Sequence, residues 1–165
     1  MIDDSQNLRH LFAQEIYGAM KTDRRIIILT GDLGYGMWDT VRKDFPGRFV
    51  NVGSAEQVLI GISIGLALKG LIPIAYSITP FLLYRPFETI RNYLSHENIP
   101  VKLVGSGRGK DYELDGFSHW AQEDKKVMKI FTHIVARWPE NADELRKMIP
   151  IMLHDGKPWY LNLKR

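Results

Sequence analysis

Phe49-Val50-Asn51-Val52-Gly53-Ser54-Ala55-Glu56-Gln57-Val58-Leu59-Ile60-Gly61 is the stretch that decides the fold. A short β-branched run ends in Gly53-Ser54 and passes directly into an apolar helical pattern. That is a strand-to-helix unit, and such units stack into a parallel sheet covered on both faces. The helix, Ala55 to Leu68, is apolar nearly all round, which predicts burial. The apolar run ends at Lys69 and is too short to span a bilayer.

The same alternation continues in both directions. Upstream, Ser5 is a suitable N-cap for a helix with Leu8, Leu11, Phe12, Ile16 and Met20 on one side. Ile26 to Thr30 reads as a buried strand, followed by the Gly-rich turn Gly31 to Gly36 and a short helix ending near Phe45-Pro46-Gly47. Downstream, strands are predicted at Ile72–Tyr76, Val101–Val104, Ile134–Ala136 and Trp159–Leu163. Helices are predicted from about Phe81 to His96, around Glu123 to Ile130, and from Ala142 to Leu153, with a long loop from Gly105 to Ser118. The expected fold is a doubly wound α/β domain over residues 1–165, with a mainly parallel six-stranded sheet and helices on both faces.

Bulk properties narrow the function. The 165 residues carry a formal net charge of +3, but the Lys and Arg residues are scattered, so no nucleic-acid surface is expected. The absence of cysteine excludes disulfides, Cys-based zinc sites and thiol catalysis, and fits a reducing cytoplasm. The start, Met1 to Gln6, is acidic and polar and does not read as a signal peptide. No His spacing suggests a metal site, and neither a Gly-x-Ser-x-Gly elbow nor a Walker A sequence occurs.

In open α/β sheets, ligands sit beyond the carboxyl ends of the strands. Four loops of chemical interest follow predicted strand ends: Gly31-Asp32, Gly53 to Gln57, Ser77 to Arg85, and Gly105 to His119. Glu56 reads two ways: a first-turn carboxylate favouring the helix N-terminus, or a buried carboxyl hydrogen-bonding a ligand nitrogen. Gly105-Ser106-Gly107-Arg108-Gly109-Lys110 lacks the spacing of a P-loop or a dinucleotide fingerprint, though Arg108 and Lys110 can meet an anionic substrate. An unrelated nucleotide-binding domain using this loop is a weak alternative. Phe81 is either core or a stacking platform for a flat heterocycle. Gly61 and Gly65 let another helix approach closely, from the same domain or from another subunit.

Several motifs together resemble one family. Val52-Gly53-Ser54-Ala55-Glu56-Gln57, with Gly61 and Gly65 after it, is similar to the G-I-A-E-Q segment of transketolase-like thiamine diphosphate enzymes. Tyr76-Ser77-x-x-Pro80-Phe81-x-x-x-Arg85-x-Phe87-Glu88-x-Ile90-Arg91 resembles the segment that follows it, and Asp115-Gly116-x-Ser118-His119-x-x-x-Glu123-Asp124 the next block. Gly31-Asp32-Leu33 matches the earlier turn. The resemblance is to the pyrimidine-binding domain alone, as in the C-terminal-type subunit of a split transketolase. It implies a separate diphosphate-binding chain that holds Mg²⁺, in a heterotetramer.

Carried over, Glu56 is implied to hydrogen-bond the N1′ nitrogen of the aminopyrimidine and so activate the thiazolium carbon for attack on a carbonyl. Phe81 is implied to stack on the pyrimidine, with Arg85 and Asp32 lining its pocket. Asp115 and His119 match substrate-contacting positions, and His119 is a candidate catalytic residue. The sequence departs from many transketolases in having Gly107 where they place a His, eight positions before Asp115. The leading expectation is two-carbon ketol transfer. A 2-oxo acid decarboxylase, a pyruvate-dependent carboligase and a non-catalytic assembly subunit are the alternatives.

Overall fold

The computed structural model describes residues 7–165. Six strands form one sheet in the order β2-β1-β3-β4-β6-β5, every neighbouring pair parallel. They are β1 (Ile26–Thr30), β2 (Phe49–Asn51), β3 (Ile72–Ile78), β4 (Lys102–Ser106), β5 (Val135–Arg137) and β6 (Trp159–Leu163). The helices are α1 (Leu8–Thr22), α2 (Asp39–Asp44), α3 (Glu56–Leu68), α4 (Thr79–Tyr84), α5 (Phe87–Thr89), α6 (Asp124–Met128) and α7 (Ala142–His154). The doubly wound parallel sheet expected from the sequence is the one observed.

Strands β1, β4 and β6 are buried along their whole lengths, as the central strands of a sheet covered on both faces must be. Two separate cores result. One packs Leu11, Phe12 and Ile16 of α1 and Leu145 and Ile149 of α7 against Ile28, Ile74 and Leu161. The other packs Leu59, Ile60 and Ile64 of α3 and Leu82 and Leu83 of α4 against Leu29, Ala75 and Leu103.

Three local expectations are corrected. Ser5 lies outside the described residues, and the N-cap of α1 is Asn7, whose side chain accepts from the Arg9 N–H at 3.1 Å. The predicted helix from Phe81 to His96 is broken at Pro86, which has no N–H to continue the ladder, and resumes as α5 and a π-helical turn over Ile90–His96. The long loop after β4 carries two short 3₁₀ turns, Glu113–Asp115 and Phe117–His119.

Helix α3 also differs from expectation. It buries Leu59, Ile60, Ser63, Ile64 and Ala67, but Val58, Ile62 and Leu68 are exposed. Nothing lies within contact of a Cβ placed at Gly61 or Gly65. An apolar composition all round therefore does not mean burial all round within this chain.

Candidate active site

The chain reverses its direction of travel across the sheet between β1 and β3. From β1 it moves outward to β2, and α3 then carries it back over β1 to β3. This is the topological switch point, where the loops beyond two adjacent strands part and leave a crevice. Glu56 opens α3 at that point, after Gly53 with φ +72°.

The position of its carboxylate separates the two readings of Glu56. The residue is 1% exposed, so it is not a solvated first-turn charge. Ser77 Oγ, near the end of β3, donates to Glu56 Oε1 at 2.8 Å, and Arg85 Nη1 donates to Oε2. Gly31, just past β1, backs onto the group, since a Cβ there would lie 3.2 Å from Oε1. Glu56 is thus aimed between the ends of β1 and β3.

Arg85, Phe81 and His119 complete a cluster with it. The Arg85 guanidinium lies 3.9 Å from the centroid of the Phe81 ring while pairing with Glu56. Its side chain is 45% exposed, so the pair is buried at the carboxylate and open to water at the cation. The Phe81 and His119 rings meet edge to face at 4.9 Å, and the Tyr112 ring is 6.1 Å beyond His119. Ser118 Oγ lies 3.0 Å from His119 Nδ1.

Asp32 stands in the left-handed region, φ +60°, at the turn after β1. Its Oδ1 accepts from Tyr35 Oη at 2.6 Å and from Asn51 Nδ2 at 3.1 Å, and these bonds, Tyr35 first, hold its pKa below the usual carboxylate value. Asn51 Oδ1 accepts in turn from the N–H groups of Asp32 and Gly53. Asp32 and Asn51 together tie the β1 turn to the loop that delivers Glu56.

The remaining expected site residues are placed differently. Asp115 is exposed on its 3₁₀ turn, and its carboxylate has no hydrogen-bond partner among the described residues. Arg108 is occupied within the chain. Its Nε donates to Asn162 Oδ1 at 2.9 Å, Nη1 to Glu140 at 2.8 Å, and Nη2 to the Pro139 and Asn162 carbonyls. Its guanidinium fastens the loop after β4 to β6 through these intrachain bonds.

Sequence reasoning missed the groups that support these side chains. Ser77 and Asn162 are polar residues inside buried strands, a signal visible in the sequence but not in what they touch. Asn162 Nδ2 lies within hydrogen-bond distance of the Gly107 carbonyl (3.0 Å), Thr79 Oγ1 (3.0 Å) and Tyr160 Oη (3.1 Å), which share its two N–H donors. Tyr160 Oη donates to Asp124 Oδ2 at 3.0 Å, which also accepts from Trp138 Nε1. Burial first, and then Asp124, pushes the Tyr160 phenol well above its usual pKa. Full satisfaction of these buried groups makes a rigid floor under the loop.

Comparison with known proteins places this geometry in context. Residues 4–165 match the model of the transketolase pyrimidine binding domain. The chain is 32% identical over 160 residues to the 6-deoxy-6-sulfo-D-fructose transketolase subunit SqwH of Clostridium sp. (strain MSTE9), covering 96% of this chain and 49% of that protein. It is 36% identical over 121 residues to one of the subunits of the apulose-4-phosphate transketolase of Actinobacillus succinogenes (strain ATCC 55618 / DSM 22257 / CCUG 43843 / 130Z), covering 73% of this chain and 39% of that one. A solved structure described as a split gene transketolase, inactive beta4 tetramer, superimposes with a TM-score of 0.85 at 29% identity, over 96% of this chain and 51% of that chain. The chain spans about half the length of the first of these curated relatives, and less of the second.

Proposed function

Because the chain belongs to the transketolase pyrimidine-binding domain family, we propose that it is one subunit of a two-chain thiamine diphosphate-dependent transferase catalysing two-carbon ketol transfer. The observation that carries the proposal is the buried Glu56 carboxyl, linked through Arg85 to the Phe81 ring, at the switch point of the sheet.

The residues fit an aminopyrimidine. A flat heterocycle needs an aromatic face and an acid at one ring nitrogen, and Phe81 and Glu56 supply them. Arg85 already makes that pair of contacts: a planar N–H donor stacked on Phe81 and bonded to Glu56. It acts as an internal stand-in, and cofactor binding displaces it toward water.

When bound, thiamine diphosphate supplies the nucleophilic carbon and the electron sink. This chain's part is acid–base and positional. Glu56 holds a proton at the pyrimidine nitrogen, Ser77 fixes the carboxyl's orientation, and Phe81 sets the ring plane. His119, against the edge of Phe81, is the group for proton transfer at the substrate, and exposed Asp115 is a further substrate contact. Asp32 holds the pocket wall. Arg108 positions the loop.

The family model covers the pyrimidine side only, so the proposal assigns Mg²⁺ and the diphosphate to a separate partner chain, in a heterotetramer. Support comes from the exposed apolar residues Val58 and Ile62 on α3, alongside the open Gly61 and Gly65, and from exposed Tyr35, Leu114 and Phe117 on the loops at the carboxyl edge. Exposed apolar side chains at these places suit association with a second chain. Among the described residues no helix is long and apolar enough to cross a membrane, and the proposal places the pair in the cytoplasm.

The test is calorimetric titration of thiamine diphosphate and Mg²⁺ into the pair copurified from its native source, with turnover measured in parallel. Binding and ketol transfer, both lost in Glu56→Ala with the assembly intact, are the expected results. Full activity in that variant overturns the assignment, and a stable pair that binds no cofactor makes the chain an assembly subunit. Gly107 favours a second reading, a 2-oxo acid decarboxylase or carboligase, which CO₂ release from a 2-oxo acid distinguishes.

A further inference from the structure

Gly107 follows β4 at the edge of the proposed site, and the structure shows what is packed against it. Residue 107 adopts φ +88°, in the left-handed region. A Cβ at this position would lie 2.4 Å from Cε2 and 2.5 Å from Cδ2 of Tyr112. One volume is contested by two residues, and the Tyr112 ring holds it.

Neither competitor is free to move aside. The Gly107 N–H donates to the Leu163 carbonyl at 2.9 Å, and the Gly107 carbonyl accepts from Thr79 Oγ1 and Asn162 Nδ2. The Tyr112 hydroxyl is 2.7 Å from Ser106 Oγ and accepts from Arg9 Nη1 at 3.3 Å. The loop beyond is closed by the Ala121 N–H on the Gly109 carbonyl and by Asp111, which accepts from the N–H groups of Arg108 and Arg165.

The ring also neighbours His119 of the proposed site. Phe81, His119 and Tyr112 form a row of three aromatic side chains, each ring next to the one before it. We propose that Tyr112 is a specificity-determining residue of this pocket, narrowing it beside His119 so that short substrates pass and long hydroxylated ones are disfavoured. The inference rests on the proposed function and deepens it. The hydroxyl is turned to Ser106 and Arg9, so the selectivity resides in the ring's bulk.

The test uses the pair copurified with the diphosphate-binding chain, with hydroxypyruvate as the short donor, a ketohexose phosphate as the long donor and one common aldose acceptor. Tyr112→Ala is expected to raise kcat/KM for the long donor relative to the short one by about tenfold or more, with thiamine diphosphate affinity maintained. Tyr112→Phe, which keeps the ring, is expected to hold the ratio within about threefold of wild type. A ratio unchanged in Tyr112→Ala while cofactor still binds overturns this inference alone, as does an equal shift in Tyr112→Phe. Absence of cofactor-dependent turnover in the wild-type pair overturns the proposed function and this inference with it.

Stability of the isolated chain checks the contested volume without any activity. Gly107→Ala is expected to lower the unfolding midpoint by roughly 5 °C or more, and by less when introduced into Tyr112→Ala. Equal losses in the two backgrounds refute the shared slot.

Discussion

Arg85→Ala should tighten the binding of thiamine diphosphate to the assembled pair. The guanidinium now makes two contacts that the cofactor ring must replace, the face of Phe81 and the carboxylate of Glu56. A cation over an aromatic ring at a partly exposed site contributes about 0.5–1 kcal/mol. Glu56 is buried, but Arg85 is half exposed, so solvent screening limits their ion pair to roughly 0.2–1 kcal/mol. Binding the cofactor therefore costs about 0.7–2 kcal/mol in displaced contacts, and removing Arg85 should lower Kd roughly 3- to 30-fold. Calorimetric titration of the wild-type and Arg85→Ala pairs, at fixed Mg²⁺ and ionic strength, measures this directly. The same variant should lower the chain's own stability, because it leaves the Glu56 carboxylate buried with Ser77 as its remaining partner. Unchanged or weaker cofactor binding in Arg85→Ala refutes the competition and makes Arg85 a ligand of the bound cofactor.

Three further outcomes are expected. Gly105→Ala places a Cβ 2.6 Å from Thr79 Oγ1 and 3.3 Å from the Tyr160 ring, an overpacking cost of about 1–3 kcal/mol that should appear as a lower midpoint in thermal unfolding. Ile62→Asp, on the exposed face of α3, should leave the monomer fold intact and shift the assembly to smaller species in analytical ultracentrifugation. In alkaline titration followed by phenolate absorbance, Tyr76 and Tyr84, both pushed up to about 12 chiefly by burial, and Tyr160 should stay protonated well past pH 10. Their folded pKa values lie above the unfolded value near 10, so the stability they contribute is present below pH 10 and is lost as pH rises toward 12. Uniform ionisation of all seven tyrosines near pH 10 in the folded chain would contradict this.

The fold was legible because its signals are local. A strand buried on both faces is signalled by a short uninterrupted apolar run, and Ile26 to Leu29 supplies one without ambiguity. The Gly53-Ser54 turn before an apolar helix was enough, as sequence, to put Glu56 at a strand end. Side-chain partnerships were not legible, because they join residues far apart along the chain. Glu56 meets Ser77 and Arg85 across 21 and 29 positions. Arg108 illustrates the limit most sharply. A basic residue in a Gly-rich loop suggests an anion, yet four of its five N–H groups go to Asn162, Pro139 and Glu140, none of which its own neighbourhood announces. Helix α3 misled for a related reason: a sequence records that a face is apolar, but not whether the covering surface belongs to the same chain.

The outward face of α3 has a mechanical consequence. Glu56 is the first residue of the helix, and Gly61 and Gly65 lie on the same thirteen-residue rod, about 20 Å long at the α-helical rise. A rod of that length with its inner side packed against a close-packed core moves as one body. A second chain that seats on the glycines therefore grips the element that aims the carboxyl, five and nine residues away along the same axis. Displacing the helix by a fraction of an ångström at the seat displaces the acid by the same amount at the crevice. In such an arrangement, quaternary fit and proton placement are one adjustment made at two ends of a single lever.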